Sequence, residues 1–465
     1  MTLEKEPNRA LARVMAHAGM SNTGLASRIR AEGKRRGIDA SPDHVSVKRW
    51  LGGTRPHDDT IRCIAAVLSA KLGREVSFAE IGYEVQQQHS EIDIVEDGAR
   101  YPAESARAVE LLDTLTSADM ADSQEVVRSN WVSETAPSVI TGYLFSSPTW
   151  QDDQGTAITA NAAAAERIRA FTRHLMDLDF NYGGGHVRRV LLFYFRSEIV
   201  PLLREPHPGP IRREIFSAAG EVAQLLGWSA YDAGRHGAAQ RYFMQGLRLA
   251  SEAEDPVLGG RLLSNLSHQA NYLGRYNEAL QFARAAQTGA ARRATPAVNA
   301  MFLAMEARAL ASSGESRMCA QVLNRAEQAF AQRDPSKEPA WISYFDALEL
   351  AGEAAHCFRE LGQPHETQMF AAQAIDPVDT PPRTRAFISM VTAAGAFRAG
   401  NLDEALSLAN NALGLTGSLQ SSRYVRYLTD FHQSLTEKHA HHSAVRQFTA
   451  LLAKTYPRLR LAGAA

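Results

Sequence analysis

The sequence predicts an all-α protein in two parts, an N-terminal domain of four to five helices followed by an α-solenoid. Three observations carry that prediction. Helix caps and apolar residues at helical spacing recur through residues 1–83. Five glycines, Gly234, Gly274, Gly314, Gly362 and Gly400, anchor a repeat with intervals of 40, 40, 48 and 38 residues. Charge divides along the same line: residues 1–83 hold 14 Lys and Arg against 9 Asp and Glu, and the remainder holds 36 against 42. A basic end on an otherwise acidic chain is the electrostatic footprint of a nucleic-acid module.

Leu11, Val14, Met15 and Ala18 share one helical face and mark a first helix. Gly19 suits the left-handed residue that ends it, and Ser21 offers a hydroxyl to cap the next helix, whose apolar face is Leu25, Ala26 and Ile29. Ser41 reads as a further N-cap, with Pro42 where a missing N–H does no harm. In that helix Val47, Trp50 and Leu51 face inward and Gly52-Gly53 ends it. Val45, Lys48 and Arg49, with His44 near the N-terminus, make the opposite side basic and rich in donors. Such a face fits a DNA major groove, where Lys and Arg meet guanine acceptors and a small apolar residue meets a thymine methyl. Ile61, Ile64, Ala65, Leu68 and Leu72 mark a closing helix after Asp58-Asp59-Thr60.

The string Gly19-x-Ser21-Asn22-x-x-Leu25-Ala26, then Val47-x-x-Trp50-Leu51-x-Gly53-x-x-Pro56, resembles the phage-repressor-like (XRE, Cro-type) helix-turn-helix domain over about the first 80 residues. The resemblance implies DNA-binding roles for Ser21, Asn22 and Thr23 at the start of the second helix. It implies groove-facing roles for His44, Val45, Ser46, Lys48 and Arg49, and backbone contacts for Thr54 and Arg55. One departure is the segment Gly33–Ala40, longer than the family's turn, whose Lys34, Arg35 and Arg36 either grip phosphate or are simply solvated.

Glu84 to Asp97 holds five acidic residues and no Lys or Arg, and reads as a solvated linker. The predicted boundaries are 1–83 for the first domain, 84–155 for the acidic linker and an irregular helical region, 156–210 for a helical pair, and 211–465 for repeats with C-terminal capping helices. In the pair, helices are expected over Ala160–Leu178 and His186–Leu203. Gly183-Gly184-Gly185 lies between them without the Lys-Ser or Lys-Thr of a P-loop, so a plain turn is favoured over a phosphate cradle.

Within the repeat, the positions five residues beyond each anchor glycine are Ala239, Ala279, Cys319, Thr367 and Ala405. Twelve residues before those stand Gly227, Ser267, Ala307, Ala355 and Ala393, and seven after them stand Gly246, Ala286, Ala326, Ala374 and Ala412. All are small, as closely approaching helix pairs require. Tyr272-Leu273-Gly274-Arg275-Tyr276-Asn277-Glu278-Ala279-Leu280 and Ala399-Gly400-Asn401-Leu402-Asp403-Glu404-Ala405-Leu406 resemble tetratricopeptide (TPR) repeats, a resemblance that implies a right-handed TPR-like solenoid. A concave groove is then expected from the first helix of each pair: Glu221, Gln224, Trp228, Tyr231, Arg261, Ser264, His268, Asn271, Arg308, His356 and Arg359. A peptide fits it best, with its amides on Gln224 and Asn271 and a carboxylate on Arg261 or Arg308; a small molecule is the other ligand class.

Cys63, Cys319 and Cys357 lack metal-type spacing and read as core residues in a reducing compartment. His439, His441 and His442 lack the partners that complete a metal site, no catalytic motif is present, and no cofactor is expected. With no apolar run of membrane-spanning length and no signal-peptide core in Met1–Glu6, a cytoplasmic protein that avoids membranes is expected. Together the two resemblances imply a transcription regulator, and the alanine- and arginine-rich usage resembles actinobacterial members of that group. It would bind double-stranded DNA as a homodimer, not act as an enzyme, and sense a ligand in its repeats. The alternative is a TPR scaffold for protein partners that does not bind DNA.

Overall fold

Every regular element among the described residues is a helix. The computed structural model describes residues 7–36, 41–74, 76–83, 94–149, 163–182, 184–376, 378, 380–416, 421–457 and 459. The chain divides into two compact units, Met1–Ile92 and Asp93–Ala465.

In the first unit, Asn8 caps α1 (Arg9–His17) by accepting from the Leu11 amide, and Gly19 ends it at φ +59°. Ser21 Oγ accepts from the Gly24 amide at 3.1 Å at the start of α2 (Asn22–Arg36). Helix α2 runs on through Gly33, so residues 33–36 are its last turn and not the long connection expected; residues 37–40 lie outside the described residues. The next helix, α3 (His44–Leu51), is capped by Asp43 and not by Ser41: its carboxylate accepts from the Ser46 amide at 2.7 Å. Both bonds from Ser46 hold the Asp43 carboxyl below the usual carboxylate range. Helix α4 (Asp58–Leu72) closes the unit. One apolar cluster joins Leu11, Leu25, Ile29, Val47, Trp50, Ile61 and Leu68 to Val76, Ile81 and Tyr83. Asn8 Nδ2 also donates to the Ile81 carbonyl at 3.0 Å, tying the start of the unit to its end.

The second unit is an array of adjacent helix pairs. Gly209–Asp232 (α11) pairs with His236–Glu252 (α12), Pro256–Tyr272 (α13) with Tyr276–Ala290 (α14), and Pro296–Ser312 (α15) with Ser316–Ala331 (α16). Ala347–Glu360 (α17) pairs with Pro364–Gln373 (α18), Pro382–Arg398 (α19) with Leu402–Thr416 (α20), and Ser422–His439 (α21) with Ser443–Thr455 (α22). The five anchor glycines sit in the turns of the first five pairs at φ between +70° and +87°, a conformation that a Cβ makes costly. All fifteen small positions are buried. At Gly227 a Cβ would lie 2.5 Å from the buried Phe243 ring of α12. Gly227→Ala is therefore expected to cost about 1–2 kcal/mol net of its better helix propensity. The check is a lower urea midpoint at unchanged slope.

Before the pairs come Ser105–Met120 (α5), Gln124–Val127 (α6), Ala136–Leu144 (α7), Ala164–Tyr182 (α8), Gly184–Tyr194 (α9) and Val200–Arg204 (α10). Gly184 and Gly185 belong to the first turn of α9, and Gly183 lies outside the described residues. A π-helical turn, Phe195–Ile199, links α9 to α10 where Pro201 removes a helical N–H.

Residues 94–149 pack along α12. The Arg241 guanidinium donates to the Ile94 and Val95 carbonyls, and Gln245 donates to the Gly98 carbonyl at 2.8 Å. Gln240 joins the Val132 backbone at both its amide atoms, and Glu252 accepts from the Thr149 amide at 3.1 Å. The expected linker therefore ends before Ile94, which is itself buried. Of the three cysteines, all are buried, and Cys319 lies in hydrogen-bonding reach of Cys357.

Candidate DNA interface and ligand cavity

Helix α3 divides into two faces. Val47 and Trp50 enter the core, and His44, Val45, Lys48 and Arg49 are exposed, Val45 at 44%. Among the described residues neither Lys48 nor Arg49 has an ion-pair partner, and both side chains are exposed. Ser46 is half-buried and its hydroxyl donates to Asp43 at 2.8 Å at the helix start. Ser21 and Thr23 are exposed and Asn22 half-buried at the start of α2, with the Ser21 hydroxyl engaged as a cap acceptor. Thr54 and exposed Arg55 follow α3, the Thr54 amide donating to the Arg49 carbonyl at 3.0 Å. The unit thus presents an exposed face with two cations, an imidazole and an apolar residue on one short helix.

In the second unit the first helices of the pairs converge on one cavity of about 200 Å³. Seven expected groove residues line it: Gln224, Trp228, Arg261, Ser264, His268, Arg308 and His356. Four do not. Glu221 pairs with Arg169 of α8 at 2.9 Å, and the buried Tyr231 phenol meets His268 Nδ1 at 3.0 Å beneath the wall. Asn271 lies beyond the lining, and Arg359 stacks on the Tyr427 ring at 4.8 Å. The amide pair Gln224 and Asn271 expected to hold a peptide backbone is therefore not assembled; Gln224 Nε2 instead donates to Asn265 at 2.8 Å.

The groove is also closed by parts of the chain that the repeat pattern does not mark. Met176 of α8, Tyr344 and Phe345 before α17, and Arg423 and Tyr427 of α21 complete the wall. Asp232, fully buried at the end of α11, holds α21 and α19 together. Its carboxylate accepts from Arg423 at 2.9 Å and Ser421 at 2.8 Å, and pairs with Arg383 at 3.0 Å. Arg308 is bound to Glu353 at 2.9 Å. Burial, with Glu353 and Asp346 nearby, pushes the Glu349 carboxyl up to about 8, so it carries its proton at neutral pH.

Histidines around this core are held neutral. Burial, helped by nearby Arg426, lowers His236 to about 4, and burial with neighbouring arginines lowers His268 and His356 as well. For a base depressed in the folded state, the unfolded chain takes up the proton first. Stability from His236 is thus complete above about pH 6.5 and is lost as pH falls toward 4. Allowing for its partial exposure, we expect His236 alone to account for about 1–2 kcal/mol of acid destabilisation. Between about pH 7 and 4.5 the urea midpoint of wild type should fall further than that of His236→Phe, by the equivalent of about 1–2 kcal/mol.

No helix among the described residues is long and apolar enough to cross a membrane, and no group of three metal-ligating side chains is found among them. Comparison with known families matches residues 11–84 to the SP15 N-terminal domain, a span that coincides with the α1–α4 unit. No curated protein matches the chain.

Proposed function

We propose that the chain is a DNA-binding transcription regulator whose first unit reads DNA through α3 and whose second unit is a TPR-like solenoid that holds a small ligand. The single observation that carries this reading is the exposed face of α3, with unpaired Lys48 and Arg49 beside His44 and Val45 over a well-packed core. Unpaired cations on a short, rigid helix suit phosphate and guanine contacts, and Val45 suits a thymine methyl. One such module contacts few bases, so the protein acts as a homodimer on two half-sites about 34 Å apart.

A small ligand is favoured over a peptide because the central space is about 200 Å³ and α21 narrows it with Arg423 and Tyr427. A segment of peptide long enough to read several residues needs an open groove. The same small volume disfavours the scaffold reading, in which a partner's segment would occupy the concave side. Ligand binding would act by favouring one arrangement of the pairs over another, which changes how two DNA-reading units are held.

Capture of genomic fragments by the purified full chain at physiological salt tests the DNA reading. Enrichment of a few inverted-repeat sites is expected. Capture that is weak and sequence-independent, from protein shown to be folded and dimeric, would replace the regulator by the scaffold.

A further inference from the structure

Every cavity-lining guanidinium but one has a carboxylate. Arg308 has Glu353, and Arg383 and Arg423 share Asp232. Arg261, 4% exposed, has none. Its guanidinium carbon lies 4.4 Å from the Trp341 ring centre and its only hydrogen-bond acceptor among the described residues is the Met176 sulfur at 3.7 Å, a weak one. Burial lowers the Arg261 pKa below the usual guanidinium value, against the opposing pull of Tyr344 and of Glu221, whose carboxylate is itself bound to Arg169. A buried cation in that state is costly unless something anionic joins it.

Two further polar atoms of lining residues have no hydrogen-bond partner among the described residues. Ser264 Oγ, one helical turn along α13 from Arg261, is buried without a partner, as is Gln224 Oε1 on the facing helix. Among the charged and polar groups of the wall stand the aromatic and thioether side chains of Trp228, Phe387, Tyr427, Met301 and Met305. The cavity exceeds the roughly 150 Å³ that accepts benzene in an apolar core.

We propose that this cavity binds a small aromatic carboxylate. Its carboxylate meets the Arg261 fork and the Ser264 hydroxyl, and its ring lies among Trp228, Phe387 and the two methionines. One guanidinium asks for one negative charge, and Glu353 in the wall opposes a second, so a carboxylate fits better than a phosphate dianion. Glu349 in its protonated form tolerates the anion where a carboxylate would repel it. The inference deepens the ligand-sensing part of the proposed function and rests on it; it does not depend on DNA binding.

The test is titration calorimetry on the full chain without DNA, using benzoate, phenylacetate and indole-3-acetate, with benzyl alcohol and phenyl phosphate as controls. At least one carboxylate should bind, benzyl alcohol at least about tenfold more weakly, and Arg261→Met should weaken the carboxylate about 10- to 100-fold. Ser264→Ala should weaken it by a smaller factor of about 5. Arg261→Met should also leave the ligand-free protein at least as heat-stable as wild type, since it removes an uncompensated charge; a purely structural Arg261 would give a lower melting temperature. Tighter binding of phenyl phosphate would overturn the carboxylate assignment. Equal binding by Arg261→Met, or no binding by any carboxylate at about 10 mM, would overturn the site. The Lys48→Ala/Arg49→Ala protein should bind the carboxylate unchanged, so failure of the DNA reading and failure of this site are separable.

Discussion

Replacing Asp232 by Ala should destabilise the second unit by about 3–5 kcal/mol, the usual cost of stranding a buried charge. The expectation is at the upper end because one carboxylate serves two guanidiniums. Arg383 and Arg423 both lie within 3.0 Å of it, and the Asp232 side chain is fully buried. Its loss also frees Ser421, the N-cap of α21. The main effect should therefore appear at the C-terminal helices, as faster amide exchange over α21 and α22 together with a lower urea midpoint. The two arginines hold Asp232 below the ordinary carboxylate value against the opposing effect of burial. A depressed carboxylate stabilises the fold above its unfolded value near 3.8, and that stability is lost as pH falls through the folded value. The gap between wild type and Asp232→Ala should thus be full at neutral pH and narrow only as pH falls below the ordinary carboxylate value of 3.8. A variant as stable as wild type at pH 7, with unchanged exchange over α21, would show that the helix is held by packing alone.

The double change Lys48→Ala/Arg49→Ala should abolish specific DNA capture while leaving the fold intact. Each residue is exposed and unpaired, so neither removal disturbs the core around Val47 and Trp50. A cation reading a guanine edge contributes about 1–3 kcal/mol, so two together correspond to a loss of roughly 30-fold to roughly 25,000-fold in affinity. Loss of two phosphate-neutralising charges per protomer would instead lower the salt dependence, by about 0.9 in the logarithmic slope for each. Measuring affinity for the enriched site and a scrambled one across salt concentrations separates these cases. A matched fall on both sequences assigns the pair to phosphate, and a fall confined to the enriched site assigns it to bases. Unchanged affinity for both would remove α3 from the interface.

The helices were legible wherever caps and apolar spacing agreed, as at Gly19, Ser21 and the face Leu25, Ala26 and Ile29. The repeat was legible because its determinants are local: a left-handed glycine and three small positions fixed relative to it. The cap of α3 was misplaced because Ser41-Pro42 and Asp43 are both acceptable starts. Asp43 prevails by bonding both the amide and hydroxyl of Ser46, a choice made by backbone direction rather than composition.

What the sequence did not disclose is where polar faces are covered. Helix α12 carries Gln240, Arg241, Gln245, Arg248 and Glu252, a pattern that reads as a solvated outer face. All five are buried at 0–1% exposure, because residues 94–149 supply matching carbonyls and amides more than 90 positions upstream. The cavity shows the same limit. Gln224, Trp228, Arg261 and His268 follow from helical spacing, but the helix that closes over them lies beyond the last recognised repeat. Glu221 was drawn away to Arg169 by a helix whose position no periodicity specifies.

The bond between Arg423 and Asp232 spans 191 residues, in an array where most contacts join neighbouring pairs. Consider that contact during synthesis. When α11 leaves the ribosome, the arginines that neutralise Asp232 are still to be made, and at about 5–20 residues per second Arg423 follows some 10–40 seconds later. Until then the early pairs can stack on one another, but the carboxylate must stay hydrated and the central space open. The last helices therefore act as the closing step of biogenesis, and chains that stop short of α21 should expose a wet, unfinished interior to quality control.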